Sequence, residues 1–147
     1  MEEKEKVLIP QETIADSKEK KRQHKTLRQL PLYRDLANLE YMVAKLYMKL
    51  PRKMTRYLDI TLNRVSEAGT CVSMAECERD PQARASYLST ARAFAEKFYD
   101  SIIILQKLNL LDKQTAKGMK NLAKGVIAQT VAWRDYTNGE GAKSDVQ

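Results

Sequence analysis

Glycine and proline are scarce in this chain: five and four among 147 residues. So few turn-formers argue against a many-stranded β sandwich and for long, uninterrupted helices. Histidine occurs once, as His24. A single imidazole cannot supply the Glu-x-x-His pairs of a carboxylate di-metal bundle, nor a Ser–His or Cys–His nucleophile on the folded part of the chain. Glycine-rich phosphate loops of the Gly-x-x-x-x-Gly-Lys or Gly-x-Gly-x-x-Gly kind are missing as well. The two cysteines, Cys71 and Cys77, stand six apart in one expected helix, where six residues turn through about 600°. Their thiols therefore diverge, and reduced cysteines of a cytoplasmic protein fit better than a disulfide or a shared metal. No apolar run approaches the roughly 18 residues of a membrane span, and "MEEKEKVLIP" lacks the basic-then-apolar order of a signal peptide. The expectation is a cytoplasmic, non-enzymatic protein with no metal, no cofactor and no membrane partner.

What the chain does have is positive charge. Lysine and arginine number 26 against 19 acids, for a net charge of +7 and a pI near 9.4. That balance suits a polyanion or an acidic protein surface, and it also occurs in plain soluble domains. At 43% hydrophobic content, a chain of this length can bury one self-sufficient core.

Residues 1–29 stand apart in composition. "SKEKKRQHKTLRQ" offers almost nothing to bury, so the expectation is a flexible charged arm. From Leu30 the pattern turns helical. Leu32, Leu36, Leu39, Val43, Leu46 and Leu50 repeat by fours and threes, which makes one apolar seam. Pro51 then breaks the chain. Leu58, Leu62, Val65, Gly69, Val72 and Ala75 mark a second helix over about residues 53–79, with Gly69 expected at a close helix crossing. In "RDPQ", Asp80 is placed to cap a third helix and Pro81 to open it. That helix carries Tyr87, Leu88, Ala91, Phe94, Phe98, Ile102, Leu105 and Leu108. Its turn Ile102, Ile103, Ile104 is apolar nearly all round, as if it touched more than one neighbour. Asp112 caps a fourth helix bearing Met119, Leu122, Ala123, Val126, Ile127, Thr130 and Trp133, and "TNGEGAKSDVQ" reads as a disordered tail from residue 138. Four helices joined by short connections predict an all-α, antiparallel up-down-up-down four-helix bundle over residues 30–137.

Two basic groups stand out. On a wheel of about 100° per residue, Lys113, Lys117, Lys120 and Lys124 form one stripe beside the core face of the fourth helix, and no acid accompanies them. Like charges four apart repel slightly. A solvated lysine face and a track for phosphates both fit this pattern. The second group is Arg52, Lys53 and Arg56 in "PRKMTR", with Arg64 two turns on. Cations in the first turns of a helix oppose its dipole, which suggests either an outside partner or a loop end made soluble by charge. Arg134 adds a further cation near the end of the fourth helix.

Three stretches resemble a known family: "KLPRKMTRYLDITLNRV", "YLSTARAFAEKFYDSIIILQKLNLLDKQ" and "GVIAQTVAW", which ends in a late tryptophan. The chain from about Leu32 to Tyr136 is similar to the accessory variability determinant (Avd) proteins of diversity-generating retroelements. It is similar also to the wider four-helix-bundle family encoded in ribosomal-RNA intervening sequences. The resemblance implies a ring-like homopentamer with a basic surface, which has no catalysis of its own and works with a reverse transcriptase and with nucleic acid, template RNA or cDNA. On that resemblance Arg52, Lys53 and Arg56 match the family's basic cluster, whereas the lysine stripe and Arg64 and Arg134 are read from this sequence alone. A ring would also give Ile102, Ile103 and Ile104 a neighbour to touch. The alternative is an interaction scaffold of the ribosomal-RNA-linked branch that recognises an acidic protein.

Overall fold

The computed structural model describes residues 30–146, with side chains to residue 139. Helix α1 spans Pro31–Lys49; a short 3-10 turn over Arg52–Met54 leads into α2, Thr55–Cys77. Helix α3 spans Pro81–Lys107 and α4 spans Lys113–Val146. No strand occurs among the described residues. Asp80 caps α3 as expected: its carboxylate accepts from the Ala83 N–H at 3.3 Å, with Pro81 in the first turn. Asp112 does the same for α4, accepting from the Thr115 N–H at 3.0 Å.

The turns are held by hydrogen bonds of their own. Between α2 and α3, the Arg84 guanidinium donates twice to the Glu78 carbonyl, at 3.0 and 2.6 Å. Helix α3 ends in a Schellman turn, in which the Asn109 N–H reaches the Gln106 carbonyl and the Leu110 N–H reaches that of Leu105. Asn109 takes the left-handed conformation this turn needs, with φ 60°, and asparagine tolerates that conformation better than most residues. Leu111 then folds inward and is buried.

Four helices pack against one another, α1 on α2 and α4, and α3 on α2 and α4. Apart from Ala85 near the start of the third helix and Thr137 late in the fourth, their buried residues alternate by threes and fours. In α1 they are Leu32, Leu36, Leu39, Val43 and Leu46, and in α2 Leu58, Thr61, Val65, Ala68, Val72 and Ala75. In α3 the run is Leu88, Ala91, Ala95, Phe98, Ile102 and Leu105; in α4 it is Ala116, Met119, Ala123, Val126 and Thr130. This is the heptad spacing of knobs-into-holes packing. The expected seam of α1 is the observed one apart from Leu50, which is half-buried. In α2 and α3 some expected seam positions give way to their neighbours. Thr61 and Ala68 are buried where Leu62 and Gly69 were expected, and Ala95 where Phe94 was; Leu62, Phe94, Leu122 and Trp133 are half-buried at the margins. The buried hydroxyls of Thr61 and Thr130 bond back to carbonyls of their own helix, those of Tyr57 and Ile127, so both sit in the core without an unmatched polar group.

Two further expectations change. A Cβ at Gly69 would stand 3.6 Å from the Glu40 carboxylate, ordinary contact rather than a tight crossing. Gly69 instead lines an open groove of about 320 Å³ between α1 and α2, with Tyr33, Glu40 and Met74. Helical backbone continues to Val146 through the stretch expected to be irregular, with no proline to stop it. The expected N-terminal arm, residues 1–29, lies outside the described residues. Among those that are described, no helix is long and apolar enough to cross a membrane.

Candidate nucleic-acid interface

Contacts between α1 and α4 set the end of α1 beside the start of α4. Near the start of α1, the Asp35 carboxylate accepts from Gln129 Nε2 at 2.8 Å, far along α4. Further up α1, Met42 Cε lies 3.9 Å from where a Cβ on Gly118 would stand. At the end of α1, Lys49 is close enough to Asp112 for its charge to act on that carboxyl. The Asp112 acid is held below the usual carboxylate range, first by hydrogen bonds from Thr115, with Lys49 adding to them. The chain leaving Lys49 enters Arg52 and Lys53 within three or four residues, and the chain leaving Asp112 enters Lys113 at once.

Arg52, Lys53 and Arg56 follow the end of α1, Lys113 and Lys117 open α4, and all five are exposed. Two cations missed in the sequence join them: Lys49 in the last turn of α1 and Lys107 in the last turn of α3. A lysine in a last turn complements the helix dipole, so nothing in the sequence sets these two apart from ordinary helix-ending lysines. The acids close by are both engaged. Asp112 is the cap, and Asp59 accepts from the Tyr47 hydroxyl at 2.5 Å. That contact and burial push the Tyr47 phenol up to about 12, with burial the larger cause. Neither α2 nor α4 has an acidic residue within its first turn, so both helices open on cations that oppose their dipoles, with the Asp112 carboxylate capping α4.

Other expected residues lie elsewhere. Lys120 is half-buried. Lys124 sits over the Tyr99 ring, 5.9 Å from its centroid, in a groove shared with Glu96, Asp100 and Ile127. The stripe therefore does have acidic company, contributed by α3, which a wheel drawn for α4 alone cannot display. Arg64 is half-buried, eight residues along α2 from Arg56, about 12 Å down the helix. Arg134 lies beyond Lys124 with its guanidinium 3.5 Å from Asp135. Of the three isoleucines, Ile102 is fully buried in the bundle's own core, so it cannot meet a second copy. Ile103 is half-buried, and Ile104 is open.

Among the described residues no cluster of three or more His, Cys, Asp or Glu could hold a metal. Cys71 and Cys77 are both free. What this end can offer chemically is a concentrated positive field, with five to seven mobile or forked donors and helix N–H dipoles, suited to oxyanions spaced along a chain. No protein-family model matches this chain, and a search of curated proteins finds no similar sequence.

Proposed function

We propose that this protein is a non-enzymatic, cytoplasmic nucleic-acid-binding subunit of the Avd-like kind its sequence resembles, working beside the reverse transcriptase of a diversity-generating retroelement. Phosphates of template RNA or cDNA meet it at the basic end of the bundle. The observation that supports this reading is the nearness of Lys49, which leads into Arg52, Lys53 and Arg56, to Asp112, which leads into Lys113 and Lys117. None of the five forms an ion pair among the described residues. Exposed cations held close together without partners repel one another, and a polyanion relieves that repulsion while releasing its own counterions.

The helices run up, down, up and down in this reading, which the α1–α4 contacts and the short turns support. Assembly as a ring-like homopentamer belongs to the same reading. It rests on the resemblance and on apolar residues that a lone bundle leaves open, Tyr41, Met48 and Met74 among them.

Single-stranded RNA, followed by fluorescence anisotropy at low salt, tests the location. Changing Arg52, Lys53 and Arg56 together to glutamine is expected to weaken binding at least about tenfold, the scale of losing two or three phosphate contacts. Changing Lys120 and Lys124 to glutamine should alter it less than about threefold. Equal losses in the two variants would move the interface off the bundle end and onto the length of α4.

A further inference from the structure

Four of the large apolar side chains open to solvent gather along one seam of the surface. Tyr57 and Ile60 of α2 and Ile104 of α3 line a shallow groove of about 80 Å³, together with Thr61, Ser101 and Leu105. Ile60 and Ile104 are each 56% exposed, and Leu108, one turn past Ile104, is 46% exposed. We infer that this α2–α3 groove is a docking site for an acidic amphipathic helix of a different protein. The inference does not rest on the nucleic-acid reading and would stand if that reading failed.

Charge around the groove selects the occupant. Helical spacing puts Arg56 and Arg64 one turn before and one turn after Ile60, Lys97 one turn before Ser101, and Lys107 one turn after Ile104. None of these four forms an ion pair with a described residue. Acids lie near these cations as well, and Asp100 stands one turn before Ile104. Asp59 is engaged by Tyr47 of α1, Asp100 lines the separate groove beside Lys124, and Glu67 lies two turns beyond Ile60, past Arg64. An aliphatic floor between rows of cations complements a helix with leucines on one face and carboxylates on its flanks.

Two other occupants fit less well. A second copy paired through the same groove would set these four cations against their own counterparts. The open apolar surface of α1, Tyr41 and Met48, is itself flanked by Lys45 and Lys49, so it too would bring cation against cation. Nucleic acid would gain from Arg56 and Arg64 and from the one aromatic face of Tyr57, but the isoleucines and leucines that make up the rest of the groove offer no further π face for successive bases. Ile104, expected at a contact between copies, is thereby assigned to a foreign partner.

The test uses the full chain and a fluorescein-labelled peptide of about 18 residues, five helical turns, with leucine at the a and d positions and glutamate between. Its control is the same composition with the leucines scattered around the helix. The amphipathic peptide is expected to bind and the control not. Ile60→Ser with Ile104→Ser should weaken binding at least about tenfold, as loss of a central apolar anchor does, and should leave RNA binding unchanged. Arg64→Gln with Lys97→Gln should flatten the salt dependence of peptide binding. All four residues lie at the surface, and an unchanged thermal melt verifies that the variants fold. The inference is overturned if the peptide does not bind or binds the serine variant as tightly. It is overturned equally if the serine pair instead lowers RNA affinity, or breaks up an oligomer of the chain in sedimentation, since RNA or a second copy would then be the occupant.

Discussion

Gly69 shows how a single residue's role depends on what stands opposite it. In a helix interior, glycine forfeits about 0.5–1 kcal/mol relative to alanine, and a close crossing would repay that loss. Here the nearest atom to an added Cβ is a carboxylate oxygen at 3.6 Å, and no glycine among the described residues has positive φ. Gly69→Ala should therefore raise stability by about 0.5–1 kcal/mol in urea unfolding; a loss of stability would show that α1 approaches more tightly than the groove implies. Tyr47 supplies a second test at this scale. Its phenol is raised to about 12, first by burial and then by Asp59, so the folded protein keeps a proton that the unfolded chain releases near pH 10. The stabilisation is fully present below pH 10 and is lost as pH rises through about 12. Wild type should lose stability more steeply than Tyr47→Phe between those two pH values, and one of its seven tyrosines should ionise late in an ultraviolet titration. Parallel pH profiles for the two proteins would contradict this account of the Tyr47–Asp59 contact.

Among the elements, the heptad register decides which side chains count. Leu58 is fully buried and Leu62 half-buried, although both are leucines four residues apart on α2. Leu58→Ala should cost about 2–5 kcal/mol and Leu62→Ala clearly less; equal losses in denaturant titrations would place the seam where hydrophobicity alone puts it. This is also where the sequence was partly legible. The number of helices, the caps at Asp80 and Asp112, the opening Pro81 and the α1 seam could be read directly, because each depends on neighbours within one turn. In α2, α3 and α4 most expected seam positions are buried, and single positions beside them were misread. Leu62 and Phe94 are more apolar than Thr61 and Ala95, yet closely packed helices admit the small side chains and leave the large ones at the margins. The two basic groups were visible separately. The nearness of Lys49 to Asp112 was not, because it depends on α1 lying against α4, and Lys49 and Lys107 resembled ordinary helix-ending lysines.

For the molecule as a whole, the central matter is where its net charge of +7 is concentrated. Cations cluster at the α1–α2 and α3–α4 turns, whereas at the α2–α3 turn Glu76, Glu78 and Asp80 accompany Arg79 and Arg84. A field so divided orients an approaching polyanion before any contact forms, and a ring of five copies would multiply it. The most direct measurement is the affinity for single-stranded RNA across a salt series, comparing wild type with a variant in which Arg52, Lys53, Arg56, Lys113 and Lys117 are all glutamine. Each phosphate neutralised on a single strand contributes about −0.7 to the slope of log K against log salt, so five contacts predict a wild-type slope of about −3.5. The account predicts that slope for wild type and a nearly flat line for the variant. Absence of binding by the wild type at low salt, or a slope that the five substitutions leave unchanged, would contradict it.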